Sequence, residues 1–159
     1  MAQHEYTATV SWSRGADPFL DGKYSRAHAW SFDGGLTVPA SSSPLSVRAP
    51  LSNPANIDPE EALVASASSC HMLTFLWLAQ REGFQIDRYE DHAMGVAGKN
   101  DAGRTWVSAI TLRPAITWGG EKRPTAEQQH RLHHLAHEQC IIANSIKSEV
   151  TVEPAESHQ

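Results

Sequence analysis

Hydrophobic and polar residues alternate in the first part of the chain, as they do in half-buried strands. The alternation predicts one strand over residues 4–14 and a second over 23–32. Asp33-Gly34-Gly35 is typical of a hairpin turn and predicts a third, short strand over 36–39. Residues 40–56 hold five serines and three prolines without periodicity, which predicts a long irregular loop. Long loops inside compact domains are often functional.

Two long helices are predicted from the signals at their ends. Asp58 is a favourable N-cap ahead of a proline and Gly83 is a typical C-terminal stop, so the first helix lies between them. Its middle is apolar almost all round, which predicts a buried helix. Thr125 and Gln128 have the spacing of a capping box, and the second helix is predicted to run to about Asn144.

The other segments predict further strands. Residues 86–98 and 104–118 predict two strands joined by a turn at 100–103, and residues 147–153 predict a last short strand. The predicted order is three strands, a helix, two strands, a helix and a strand. Because hairpins dominate this order, we expect an α+β fold with mostly antiparallel sheets packed around two long buried helices.

Composition and charge narrow the class of protein. The chain has 159 residues, 40% of them hydrophobic and 19% charged, so we expect a single globular domain over residues 1–159. A formal net charge of -5 argues against a nucleic-acid partner, because no basic excess exists to neutralise phosphates. The longest apolar stretch, 64–79, is shorter than the roughly 20 residues of a membrane span. No signal peptide is recognisable, so we expect a cytoplasmic protein with no membrane partner.

The chain has two cysteines, Cys70 and Cys140, far apart in the sequence. In a reducing cytosol two such cysteines do not form a disulfide framework, so they are either buried apolar residues or reactive thiols. Core packing is the commoner role of a lone cysteine. A nucleophilic cysteine needs a nearby cation to become a thiolate at neutral pH, and sequence spacing alone does not identify that cation.

Three segments resemble one known family. Residues 58–70, with Glu60 ten positions before Cys70, resemble the first helix of the OsmC/Ohr family of osmotically induced and organic hydroperoxide resistance proteins. Residues 136–140 resemble the segment that carries the second cysteine of that family. Arg26 stands seven residues before the predicted hairpin turn, as the active-site arginine of the family does before its own turn.

One pair of positions departs from the family pattern. Members of the hydroperoxide resistance branch usually have Pro directly after the second cysteine and Ser two positions later. This chain has Ile141 and Ala143 at those places. The resemblance therefore assigns the family and leaves the branch, the reductant and the preferred substrate open.

The resemblance implies a thiol peroxidase that acts on organic hydroperoxides without a cofactor. Cys70 would attack the peroxide and become a sulfenic acid. Cys140 would condense with it to a disulfide, which a dithiol reductant would then reduce. Arg26 would stabilise the thiolate and polarise the peroxide, and Glu60 would orient Arg26 through a charge-assisted pair.

The family also implies an intertwined homodimer, and helix geometry agrees with a shared site. Ten helical residues rise about 15 Å, so Glu60 cannot reach Cys70 of its own chain. It could reach Cys70 of a second subunit if the two helices run antiparallel. The small residues at 62–69 suit such close packing. We therefore expect a two-fold dimer with composite sites.

A metal site is one alternative. Nine histidines are many for this length, and several lie at helical spacing on the second helix. The candidate zinc ligands lie on the two predicted helices or close to them. They are His71 on the first helix and His130, His133, His134, His137 and Cys140 on the second. Solvated histidines on a polar helix face are the simpler interpretation, because neither C-x-x-C nor H-E-x-x-H spacing is present.

Two further alternatives concern the cysteines. The protein could bind a small apolar ligand without catalysis, in which case its thiols would be inert. Acyl transfer with Cys70 as nucleophile and His71 as base is a poor arrangement, because adjacent helical residues point about 100° apart.

Overall fold

The computed structural model describes residues 3–155. They form two compact units, the first ending at Ala62 and the second beginning at Leu63. The strands are β1 (Ala8–Ser11), β2 (His28–Phe32), β3 (Thr37–Ala40), β4 (Gln85–Asp91), β5 (Met94–Lys99), β6 (Thr105–Leu112), β7 (Pro114–Gly119) and β8 (Glu149–Val152). The helices are α1 (Pro59–Arg81), α2 (Ala126–Gln139) and α3 (Ile141–Ser145). The expectation of one domain over 1–159 stays a prediction.

The first unit contains an antiparallel sheet of order β1-β2-β3. The predicted hairpin turn joins β2 to β3: Gly35 has a φ of 85°, and its N–H donates to the Phe32 carbonyl at 3.0 Å. Both leading strands are shorter than predicted, because the chain between them folds as a loop in which the Trp12 indole donates to the Ser25 carbonyl. All four residues of β1 are exposed, so the expected half-burial of this edge strand is wrong for the single chain.

The predicted long loop after β3 is irregular, as expected, and is held by side-chain hydrogen bonds. The Ser41 hydroxyl accepts the Asn53 N–H at 2.9 Å, and the Asn56 amide donates to the Ala40 carbonyl at 3.2 Å. Serine and asparagine supply these bonds locally, which is why such residues can replace regular secondary structure.

Helix α1 has the ends that the sequence predicts. Asp58 accepts the Glu61 N–H at 2.7 Å while the Glu61 carboxylate accepts the Asp58 N–H at 3.2 Å, a reciprocal cap. Gly83, with a φ of 77°, ends the helix. One stripe of the helix is buried, at four-residue spacing: Ala67, His71, Phe75 and Ala79.

The opposite side of α1 is open in the single chain. Leu73 is 60% exposed and Trp77 is 48% exposed. The expectation of a helix buried all round is therefore not met within one chain. Leu63, Val64 and Leu78 flank the buried stripe and pack partly against the core, so the open side is limited to residues such as Leu73 and Trp77.

By length and composition, α1 is also able to cross a membrane, with a mean hydropathy of 1.5 over its most apolar window. The argument that its apolar stretch is too short is therefore wrong, because the helix extends beyond 64–79 at both ends. Its buried stripe packs into the core of its own chain, as a core helix does. Phe75 and Ala79 join a cluster with Trp118 and Leu132, and Ala67 joins one with Ile110.

The two long strands predicted after α1 are each broken, which is a correction. His92 and Ala93 separate β4 from β5, and Arg113 separates β6 from β7. Asp91 stabilises the break, since its carboxylate accepts the Arg113 N–H at 2.6 Å and the Ser68 hydroxyl. The result is a two-stranded sheet, β4-β7, and a three-stranded sheet, β5-β6-β8.

The expected α+β class with mostly antiparallel sheets is confirmed. The exception is β8, which pairs parallel with β6, for example at Ile110 and Val150. The other four strand pairs are antiparallel, and two of them, β2–β3 and β5–β6, are joined by turns.

Helix α2 begins at the predicted capping box and ends five residues before the predicted end. Thr125 and Gln128 bond each other's backbone N–H groups, as expected. Cys140 then adopts an extended conformation, with a φ of -69° and a ψ of 111°, and a separate short helix follows. Cys140 serves both helices: its N–H donates to the His137 carbonyl, and its sulfur accepts the Ala143 N–H at 3.4 Å.

Candidate active site

The two cysteines lie side by side in the second unit. Cys70 is half-buried in the middle of α1, and Cys140 is buried at the junction of α2 and α3. Both are free thiols. The Cys70 side chain is a hydrogen-bonding and electrostatic neighbour of Cys140. The structure thus brings together two residues that are far apart in the sequence and that the family resemblance assigns to one reaction.

The environment of Cys140 favours its protonated form. Burial raises the pKa of the Cys140 thiol, and the hydrogen bond and charge of Cys70 raise it further. The backbone N–H groups of Ala143 and Ile142 oppose this by lowering the pKa, without reversing the direction. The Cys140 thiol therefore retains its proton.

Arg26 is held by its own loop in the first unit. Its Nη1 donates to the Gly22 carbonyl at 2.9 Å and to the Tyr24 carbonyl. The guanidinium carbon lies 3.7 Å from the centroid of the Tyr24 ring, within cation–π distance. Its backbone N–H donates to the Leu51 carbonyl at 2.8 Å. These contacts fix the guanidinium, and a guanidinium with five N–H donors still has three on Nε and Nη2.

Glu60 is exposed in the first turn of α1. The ion pairs found among residues 3–155 include neither Glu60 nor Arg26. The charge-assisted pair between these two residues is therefore absent from the single chain as described. The expectation that Glu60 acts in a second subunit stays a prediction.

Two buried histidines form a pair that the sequence did not single out. His71 Nε2 lies 3.1 Å from His133 Nδ1, and the two rings are nearly parallel at 6°. Phe75 stacks on His133 with ring centroids 4.2 Å apart. The relevant sequence signal is the four-residue spacing of His71 and Phe75 on the buried stripe of α1, but nothing in the spacing indicates the partner on α2.

Burial keeps both histidines neutral. It lowers the pKa of His71 to about 4 and that of His133 to about 3. Neighbouring imidazoles add to the effect, His137 acting on His71 and His71 acting on His133, while Asp91 raises the pKa of His71.

The described residues do not gather the histidines into a metal centre. Within residues 3–155, no group of three or more His, Cys, Asp or Glu side chains is arranged to hold a metal ion. A shallow pocket of about 180 Å³ does lie beside the histidines of α2. Its lining residues come from α2, β8 and the segment after β8: His130, His133, His134, His137, Val150, Val152 and Pro154.

Comparison with known proteins identifies the family. Residues 52–155 match the family model described as OsmC-like protein. The chain therefore belongs to the OsmC-like family, as the sequence resemblance implied. A search of curated proteins found no match.

Solved structures share the fold over nearly the whole chain. An OsmC-like protein of unknown function from Vibrio cholerae O1 biovar eltor is 48% identical, with a TM-score of 0.94 over 96% of this chain and all of that one. The organic hydroperoxide resistance protein OhrB of Bacillus subtilis is 18% identical, with a TM-score of 0.67 over 97% of this chain and all of that one. An OsmC-like protein from Mycoplasma pneumoniae is 14% identical, with a TM-score of 0.73 over 99% of this chain and all of that one.

The histidine pair predicts a loss of stability in acid. His71 and His133 reject protons in the folded state that they accept, with a pKa of about 6.5, when unfolded. The contribution of the two neutral histidines to the free energy of unfolding is therefore complete above pH 6.5 and is lost as the pH falls toward 4. The free energy of unfolding should drop by on the order of 5 kcal/mol across this window, because each of the two groups contributes about 1.4 kcal/mol per pH unit. Urea unfolding at pH 7 and at pH 4.5 measures the drop.

The matched control is the double variant His71→Leu/His133→Leu, which keeps similar side-chain volume and removes both titrating groups. Its unfolding free energy should change much less between the two pH values. The same pH dependence in both proteins would show that other groups cause the acid sensitivity.

Proposed function

We propose that this protein is a cytoplasmic cysteine peroxidase that reduces organic hydroperoxides to alcohols. The observation that carries the proposal is the contact between two free thiols, one of which retains its proton. Membership of the OsmC-like family supports it, because the same fold is found in proteins described as organic hydroperoxide resistance proteins. The residues proposed for the reaction are Cys70, Cys140, Arg26 and Glu60.

The first step is oxidation of Cys70. Its thiolate attacks the terminal oxygen of the hydroperoxide, so a sulfur–oxygen bond forms as the oxygen–oxygen bond breaks. The departing alkoxide takes up a proton and leaves as the alcohol. Cys70 is oxidised to a sulfenic acid, and the peroxide is reduced. The proton retained on Cys140 supports Cys70 as the attacking thiolate of the pair.

The second step uses Cys140. Its sulfur attacks the sulfenic sulfur of Cys70, a disulfide forms, and the hydroxyl of the sulfenic acid leaves as water with the Cys140 proton. A dithiol reductant then reduces the disulfide by thiol–disulfide exchange and is itself oxidised. Cys140 lies at a break between two helices. Its sulfur can therefore move toward Cys70 without disrupting the hydrogen bonds of a continuous helix.

Arg26 is proposed to stabilise the Cys70 thiolate and the negative charge on the departing oxygen. The contacts with Gly22 and Tyr24 leave its Nε and Nη2 donors for this purpose. Glu60 is proposed to orient Arg26 from a second subunit.

The second subunit is itself part of the proposal. Leu73 and Trp77 are exposed on α1 of the single chain, next along the helix from Cys70. A second copy of α1 running antiparallel would cover these side chains and bring its own Glu60 toward Cys70. We propose a homodimer on this basis.

Thiol reactivity tests the assigned roles. Near neutral pH, Cys70 should be alkylated by iodoacetamide faster than Cys140, because the thiolate is the reactive form and Cys140 holds its proton. Replacing Arg26 with Ala should slow the alkylation of Cys70 several-fold by removing the cation, whereas Arg48→Ala, a change of an exposed arginine in the same unit, should have little effect. Peptide mass spectrometry of timed samples measures both rates. Equal rates that do not respond to Arg26 would assign Cys70 to core packing.

Substrate choice tests the reaction. Apolar side chains follow Cys70 along α1, and those that line the cleft would offer little to hydrogen peroxide but could contact an alkyl group. An extra 100 Å² of buried apolar area is worth about 2.5 kcal/mol, or nearly two orders of magnitude. Cumene or tert-butyl hydroperoxide should therefore have a much higher kcat/KM than hydrogen peroxide with a dithiol reductant. Similar values would refute the apolar contact, and no turnover of any peroxide would favour a non-catalytic ligand-binding protein.

A further inference from the structure

A cluster of three aromatic rings lies in the loop that carries Arg26. Phe19 stacks on Tyr24 with centroids 4.7 Å apart and an interplanar angle of 27°. Trp12 meets Tyr24 edge-on at 5.5 Å and lies 6.0 Å from Phe19. Aromatic pairs at such separations are favourable beyond the area they bury.

The loop is built to hold these rings in place. The Trp12 indole donates to the Ser25 carbonyl at 2.8 Å, and the Asp17 carboxylate accepts the Ser25 N–H at 3.0 Å. The Arg14 guanidinium donates to the Asp17 carbonyl at 2.6 Å. The two bonds to Ser25 join the ends of the loop, so the cluster is a preformed surface.

The cluster is nevertheless open to solvent in the single chain. Phe19 is 48% exposed and Trp12 is 41% exposed. Rings that pack on one another in a hydrogen-bonded loop, two of them half-exposed, are the kind of surface that binds a planar apolar group, because little ordering entropy is lost on binding.

The cluster is continuous with Arg26, since the guanidinium lies 3.7 Å from the Tyr24 centroid. In the proposed reaction the guanidinium binds the departing oxygen of the hydroperoxide. The organic group is attached to that same oxygen by one bond. It must therefore begin within a few ångströms of Arg26, where the nearest ring is Tyr24 and the next in the stack is Phe19.

We propose that Trp12, Phe19 and Tyr24 bind the organic group of the hydroperoxide and select an aryl group over a small alkyl group. This inference rests on the proposed function and specifies its substrate class. Tyr24 has a second role as a positioning residue, because it supports the Arg26 guanidinium. Phe19 stacks on Tyr24 and packs against Trp12, whereas the ring that contacts Arg26 is Tyr24. A substitution of Phe19 therefore tests substrate selection without removing the ring that positions the arginine.

The experiment compares kcat/KM for cumene hydroperoxide and tert-butyl hydroperoxide, with dithiothreitol as reductant, in the full chain. The wild type should prefer the aryl substrate by about 10-fold or more. Phe19→Ala should lower this preference by about 10-fold, mainly through the cumene value, and Phe19→Leu should lower it partly because it keeps apolar bulk without a ring. Leu20→Ala is the matched control, since Leu20 is 99% exposed and its truncation should leave the preference unchanged.

Two further measurements exclude a merely structural effect. The rate of Cys70 alkylation in Phe19→Ala should equal that of the wild type, because Arg26 keeps its contacts. The oligomeric state, from size-exclusion chromatography with light scattering, should also be unchanged. A changed oligomeric state would show that the rings are an interface between subunits and would overturn the proposal.

The remaining outcomes are distinct. An unchanged substrate preference in Phe19→Ala, or an equal loss with both peroxides, overturns the aromatic selection while the peroxidase function stands. Absence of turnover in the wild type with both peroxides overturns the proposed function and this inference with it.

Discussion

The contact between Cys70 and Cys140 depends on the position at which the second long helix ends. If α2 continued through Cys140, the side chain would follow the helical rotation of its neighbours. Instead Cys140 is extended, its sulfur accepts the Ala143 N–H, and the chain restarts as α3. The same break buries the thiol, which favours its protonated form beside Cys70. One change of backbone direction thus places the second sulfur beside the first.

The buried histidines occupy the layer next to this pair. His71 follows Cys70 on α1 and contacts His133 on α2, so the helix that carries the first cysteine and the helix that precedes the second are joined by a ring-to-ring hydrogen bond. Their outer nitrogens, His71 Nδ1 and His133 Nε2, have no recorded partner among residues 3–155. Unpaired buried polar atoms lower stability. The inner nitrogens of the same two rings form the hydrogen bond that fixes the distance between the two helices.

Local signals made much of the fold predictable. The caps at Asp58 and Thr125 and the turn before β3 depend on residues three or fewer positions apart, and the structure has all of them. The break between β4 and β5 depends on bonds from Asp91 to residues more than 20 positions away, so no local pattern reveals it.

The candidate site divides in the same way. The resemblance named Cys70 and Cys140, and the structure places them together. The break at Cys140 was missed because neither proline nor glycine follows Cys140, so no local signal interrupts the helical pattern. The partnership of His71 with His133 was missed because it joins positions 62 apart. The ring cluster around Arg26 was missed because it belongs to a loop whose alternation predicted strands.

The most direct test of the account is the fate of the two thiols after one equivalent of cumene hydroperoxide, added without reductant. Thiol counting and peptide mass spectrometry should find two thiols lost per chain and a Cys70–Cys140 disulfide. In Cys140→Ser, a sulfenic acid on Cys70 should be trapped by dimedone. Two intact thiols, or a first oxidation at Cys140, would contradict the central claim.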